Sequence, residues 1–246
     1  MKIKNKAILI TVSCLFIIFI LFNYTIPISS YNNVKASPSS MDEKIIYLTF
    51  DDGPSTNVTN KMLDILKQQN VKATFFVVGY KINGREDILK RMYSEGHSIG
   101  LHTYTHVYRK VYASDKDFIN EMNETSMEIK KVLGIEPKII RFPSGSKKHL
   151  TKNLLEELHE KNYKIYDWNL CTSDGINYNT KANKLYREAT QKCINPNKIF
   201  LLMHCDANNK STCDCLESVI LYYKNLGYHF KPITPDTPEY YFRVKN

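Results

Sequence analysis

From Ile45 to Ile233 the chain alternates short apolar runs with amphipathic runs of helical period, and this alternation restricts the fold more than any other feature. Strands are expected at Ile45–Phe50, Ala73–Val78, His97–Leu101, Ile139–Phe142, Tyr163–Trp168, Ile199–Met203 and Tyr228–Ile233. These runs are short and rich in β-branched and aromatic residues. Helices are expected between them, near 58–69, 85–95, 114–133, 150–160, 181–193 and 216–225. The first places Met62, Ile65 and Leu66 on one side. The longest opens on Ser114 with Asp117 three residues on, shares Phe118, Met122, Ile129 and Leu133 along a buried side, and stops at Gly134. Such a succession is an α/β fold, a parallel sheet flanked by helices. A barrel and an open sheet both satisfy the pattern. In either, functional side chains gather where strands end and loops begin.

Asp51-Asp52-Gly53-Pro54 directly follows the first strand. Adjacent carboxylates repel unless a cation sits near them. Gly53 and Pro54 turn the chain, which lets both acids project into one pocket. Taken alone, the run reads equally well as a solvated turn. His102-Thr103-Tyr104-Thr105-His106 follows the third strand. If the backbone turns helically there, residues four apart share a face and two imidazoles converge on one ion. Taken alone, they read as two surface histidines. Together, one carboxylate and two histidines make a three-ligand hydrolytic metal site, with the second carboxylate free to act as a base.

Three more motifs end predicted strands. Arg141-Phe142-Pro143-Ser144-Gly145 offers a guanidinium that can hold a carboxylate, and a tight turn whose N–H groups can face an oxyanion. Asp167-Trp168 and Leu202-Met203-His204 follow. A histidine paired with an aspartate stays protonated near neutral pH and can donate to a leaving amine. Each motif has a plain structural alternative: a salt bridge for Arg141, a core histidine for His204, a core indole for Trp168. Five of them at strand ends point to a single active site.

In this order the motifs resemble the polysaccharide deacetylase family, the NodB-homology group of carbohydrate esterase family four. Thr49-Phe50-Asp51-Asp52-Gly53-Pro54 is similar to its first motif, and the four other runs to its second through fifth. The likeness spans about residues 45–233. The resemblance implies a distorted (β/α) barrel with fewer than eight regular strands. It implies Asp51 as general base, and Asp52, His102 and His106 as ligands of a divalent metal, usually zinc, with Co2+, Mn2+ and Ni2+ as alternatives. It implies that Arg141 orients Asp51, that the Ser144 N–H faces the oxyanion, and that His204 is the general acid, tuned by Asp167. Trp168 and Leu202 would line the acetyl pocket.

The sequence departs from the family pattern near the substrate. Cys205 follows the fifth-motif histidine where Asp is frequent, with Asp206 next; Asp174 is followed by Gly175 in place of a bulky ring; Ser144 stands where Tyr or Gly is common. None of these is a metal ligand. The implied substrate is a polysaccharide, first of all the N-acetylglucosamine of peptidoglycan. Chitin-type glycans, muramic acid and O-acetylated glycans are alternatives, as is a glycan-binding protein without catalysis.

Lys2, Lys4 and Lys6 precede an uncharged run from Ala7 to Phe22. Residues 1–28 therefore read as a signal peptide or membrane anchor with its basic end in the cytoplasm. The Ser-, Asn- and Pro-rich 29–43 reads as a linker, and 44–246 as the catalytic domain, with no internal repeat. The expected location is extracytoplasmic, at the cell surface or secreted. Net charge is +9, and +5 without the lysines of residues 1–36, which draws the exported part toward anionic wall polymers. No basic block or motif points to nucleic acid. Cys171, Cys193, Cys205, Cys213 and Cys215 lie beyond the apolar run. Their odd number leaves at least one unpaired in the monomer, and small buried apolar roles serve them as well as a disulfide.

Overall fold

The computed structural model describes residues 43–244. The segments assigned to an export signal and to most of the linker, 1–42, lie outside the described residues. Among those described, no helix is long and apolar enough to cross a membrane.

The elements run β1 (Ile45–Gly53), α1 (Thr56–Gln68), β2 (Thr74–Val77), α2 (Glu86–Ser94), β3 (Ser98–Leu101), α3 (Tyr108–Val111), α4 (Asp115–Leu133), β4 (Ile139–Ile140), α5 (Lys152–Glu160), β5 (Lys164–Ile165), β6 (Leu170–Cys171), α6 (Ala182–Ala189), β7 (Lys198–His204), α7 (Lys210–Asn225) and β8 (His229–Phe230). Their caps follow local chemistry. Ser55, Ser114 and Thr151 each accept a hydrogen bond from an amide in the first turn of α1, α4 and α5. Gly134 closes α4 at φ 72°.

The strands form one parallel, curled sheet in the order β5-β4-β3-β2-β1-β7-β6. β1 is central. One edge pairs with β7 from Ile45↔Lys198 to Asp51↔His204. The other edge is shared by β8 at Ile45 and Ile46 and by β2 from Thr49 onward. Alternation along β1 then sorts its side chains. Ile46, Leu48 and Phe50 join the main core with Met62, Leu63 and Leu216 of the helices. Tyr47 faces the other way, into a smaller cluster with Phe76, Ile139, Tyr166, Phe200 and Ile233. Thr49 and Asp51 continue the Tyr47 row toward the strand's C-terminal end, so the inner face is apolar at its base and polar at its mouth.

Several elements are shorter than the sequence predicts. The strand expected over 163–168 is regular only at Lys164–Ile165. It lies at the sheet edge, where Tyr166 bridges to Tyr240 and the Asp167 amide donates to the Tyr240 carbonyl. The C-terminal segment thus takes the place of a further strand. The chain then turns into β6, two residues long and not anticipated, which pairs with β7 at Leu170↔Leu201 and Cys171↔Leu202. The helix expected to reach Cys193 ends at Ala189.

Candidate active site

All five motifs leave the sheet at its C-terminal rim. Asp51 and His204 are cross-strand partners on β1 and β7, and His102, Arg141 and Tyr166 directly follow the paired residues Leu101, Ile140 and Ile165. Strict strand alternation would point Asp51 and Asp52 to opposite faces. The structure resolves this at Asp52, which takes φ 71° where the β1–β2 register slips. Both carboxylates then line one cavity of about 300 Å³.

Oδ1 of Asp52 lies 3.5 Å from Nε2 of His102 and 3.2 Å from Nε2 of His106. The ligand atoms of these three residues fall within 4.8 Å of one another. Nδ1 of His102 is 2.9 Å from the Arg141 carbonyl. A carbonyl only accepts, so Nδ1 carries the proton and Nε2 presents its lone pair to the site. Asp52 Oδ1 is buried and has no hydrogen-bond partner among the described residues. Acceptors turned toward one another with no donor between them fit a cation. Burial works to raise the Asp52 pKa, but His102, His106, His204 and Lys81 together outweigh it and hold the carboxyl below its usual range. Burial pushes His106 down to about 4, so its imidazole is neutral, the form that binds metal.

The His-x-x-x-His run is not helical, so the shared helical face considered for it does not form. Thr103 at φ 65° and His106 at φ 53° turn the loop through left-handed backbone. Such positions cost on the order of 1–3 kcal/mol each in residues with a Cβ. Lys81 braces Asp52 on the opposite side, donating from Nζ to the Asp52 carbonyl at 2.9 Å and to Asp206 Oδ2 at 2.5 Å.

Asp51 is 2% exposed and Arg141 is fully buried. Arg141 Nη1 donates to Asp51 Oδ1 at 2.9 Å and to Thr49 Oγ1 at 2.7 Å; Nε and Nη2 donate to the Tyr166 and Asp167 carbonyls. The guanidinium also lies over Phe76, 4.2 Å from the ring centre. One oxygen of Asp51 is fixed by this fork, and Oδ2 faces His102 Nε2 at 3.6 Å.

His204 stands across the cavity. Its Nδ1 is 2.9 Å from Oδ1 of Asp174, not of Asp167. The expectation that Asp167 tunes His204 is therefore corrected. Asp167 is buried beneath the third motif, where it accepts from the Ser146 amide and hydroxyl and from the Phe242 amide. Burial raises the Asp167 pKa against these bonds. Asp174 also accepts from the Thr172 and Thr212 hydroxyls and from the His204 amide. Burial alone would lower the His204 pKa; the bond and charge of Asp174 reverse this and raise it to about 9. Gly175 makes the arrangement possible, because a Cβ there would lie 2.3 Å from the His204 ring.

Ser144, Trp168 and Leu202 line the same cavity, with Tyr108, Cys171, Thr172, Gly175 and Ile176. Ser144 sits at φ 64°, and its amide donates to no group among the described residues. Tyr108 hydrogen-bonds the Ser144 hydroxyl. Cys205 is buried with Sγ 3.3 Å from the Asp51 carbonyl, and all five described cysteines are free. Asp174 holds the place beside His204 that the motif reading gave to Asp167. Its one signal in the sequence is an acid six residues past Trp168, at Thr172-Ser173-Asp174.

A model described as polysaccharide deacetylase matches residues 39–165. A peptidoglycan-N-acetylglucosamine deacetylase of Bacillus cereus is 33% identical over 205 residues, covering 80% of this chain and 73% of the relative. The peptidoglycan-N-acetylmuramic acid deacetylase PdaA of Bacillus subtilis is 32% identical over 192 residues, covering 78% and 70%. Among solved structures, a Streptococcus mutans CE4 esterase superposes with a TM-score of 0.73 at 31% identity, covering 78% of this chain and 87% of that one.

Proposed function

The chain belongs to the polysaccharide deacetylase family, and on that premise we propose that it hydrolyses the N-acetyl amide of N-acetylglucosamine in peptidoglycan, releasing acetate. The observation that carries the reading is the facing pair of proton-handling groups, Asp51 fixed by Arg141 and His204 fixed by Asp174, on either side of the Asp52–His102–His106 cluster.

Asp52, His102 and His106 would hold a divalent cation, for which one carboxylate and two imidazoles suit zinc first and Co2+, Mn2+ or Ni2+ next. Bound there, it lowers the pKa of water and polarises the acetyl carbonyl. Asp51 takes the proton of the attacking water, in the orientation Arg141 imposes. The Ser144 amide faces the oxygen that becomes negative as water adds to the carbonyl carbon. His204, protonated through Asp174, gives its proton to the amide nitrogen as the C–N bond breaks, leaving a free sugar amine and acetate. Trp168 and Leu202 wall the space for the acetyl methyl.

The lysine-headed apolar run at residues 2–22 supports action outside the cytoplasm, on a tether or after release, with 44–246 as the catalytic domain. The likeness to PdaA keeps N-acetylmuramic acid as a second reading. Mass spectrometry of muropeptides from wall treated with the protein tests both: loss of acetyl from glucosamine supports the first, and loss from muramic acid alone replaces it with the second. Acetate release that a chelator abolishes separates an enzyme from a glycan-binding protein.

A further inference from the structure

The loop between His102 and His106 carries two of the three residues assigned to the metal, and the two are anchored differently. His102 extends β3, its amide donating to the Val77 carbonyl and its Nδ1 paired with the Arg141 carbonyl. His106 has no side-chain hydrogen bond to a described residue that would orient its ring, and meets Tyr108 edge-on at 5.7 Å. Metal-binding histidines are usually oriented through their second nitrogen. The placement of His106 therefore rests on its backbone, and that backbone is left-handed at Thr103 and again at His106.

The amides of this loop converge on Glu121 of α4. Its side chain is buried, the residue being 8% exposed. Oε2 accepts the Tyr104 amide at 2.8 Å and the Thr105 amide at 2.6 Å, and Oε1 accepts the Thr105 hydroxyl at 2.7 Å. Two consecutive amides aimed at one point form an anion-binding concavity, here filled by the chain's own carboxylate with charge-assisted bonds. The loop's carbonyls are tied on the other side, Thr103 to the Gly79 amide and Tyr104 to the Tyr80 amide. Glu121 lines no part of the catalytic cavity.

We propose that Glu121 is a positioning residue of the metal site, whose carboxylate clamps the Tyr104–Thr105 amides so that His106 converges on Asp52 and His102. The inference rests on the reading of those three residues as metal ligands. Losing the clamp frees the loop to leave its left-handed turn, and the cost falls on cation affinity. A helix anchors the binding loop from outside, with no contact to the ion.

Titration of the metal-free protein with Co2+, read by its visible absorption and by competition with a chromophoric chelator, tests this. Glu121→Ala is expected to weaken Co2+ binding by roughly ten- to a hundredfold. Glu121→Gln, nearly isosteric but with a single acceptor oxygen, is expected to weaken it by about tenfold and to alter the Co2+ spectrum. Thr105→Ser, which keeps the hydroxyl, should bind like the parent. At saturating Co2+ Glu121→Gln should regain most of its turnover. Where Ala fails to fold, the Gln variant carries the test. A folded Glu121→Gln protein with parental affinity and spectrum overturns the proposal, even if its melting temperature is lower. If His102→Ala also binds Co2+ as the parent does, the metal-site reading itself fails instead.

Discussion

Nδ1 of His204 and Oδ1 of Asp174 are 2.9 Å apart, although His204 ends β7 while Asp174 follows β6, 30 positions earlier. The pair holds His204 protonated, with its pKa at about 9 against the 6.5 of a free imidazole. The protonated form of His204 is therefore lost as pH rises through about 9, which should set the alkaline limb of the rate profile. Asp174→Asn removes the anion and leaves burial, which lowers the pKa, so the limb moves to lower pH. At pH 8 the rate should fall roughly a hundredfold or more, with metal affinity unchanged. A pH–kcat profile of the variant checks this.

The same shift makes a stability prediction. A raised folded-state pKa stabilises the fold fully below the unfolded value of 6.5 and loses that contribution as pH rises through about 9. The melting temperature of the parent should decline across this window. In Asp174→Asn the decline should be much shallower. Calorimetry at pH 6 and pH 9.5 on both proteins measures it.

Gly175→Ala should disable the acid while sparing the metal. Its Cβ would stand 2.3–2.7 Å from three atoms of the His204 ring, which must swing away from Asp174. The expected result is a loss in kcat of at least tenfold, with Co2+ affinity and melting temperature close to the parent's. Single-turnover kinetics beside a Co2+ titration would show the split.

Arg141→Met should be among the most destabilising changes. It removes a fully buried cation that meets Thr49, Asp51 and two carbonyls, and strands the Asp51 carboxylate. Breaking such a pair costs about 3–5 kcal/mol, or roughly 10 °C in melting temperature for a domain of this size. Arg141→Lys should fold better, yet lose most turnover, because an ammonium cannot reproduce the planar fork. Thermal melts and acetate-release assays on the two variants distinguish the effects.

The positions of the motifs were legible because strand period and turn chemistry are local. Asp51, His102, Arg141 and His204 all follow runs that announce themselves as strands, and a parallel sheet sends such residues to one rim. What local pattern does not encode is which distant side chains then touch. Asp167 and Asp174 are both acids after a strand-like run, and only the short β6, paired at Cys171↔Leu202, carries Asp174 beside His204. Asp167 stays under the Ser146 turn. The route of the His102–His106 loop was hidden for a similar reason. A spacing of four suits a helix, but the structure brings the two histidines together through left-handed backbone at Thr103 and His106, with the intervening Tyr104 and Thr105 amides bonded to Glu121 of the distant α4. The C-terminal segment meets the sheet edge where Tyr240 bridges to Tyr166, a contact with no sequence signature.

Metal stoichiometry and acetate release, measured together on Asp51→Asn and His102→Ala, bear most directly on the central assignment. One cation should bind per chain in the parent and in Asp51→Asn, which should release almost no acetate from acetylated glycan, while His102→Ala should lose both metal and activity. Near-parental turnover in Asp51→Asn, or one tightly bound cation in His102→Ala, would contradict the account.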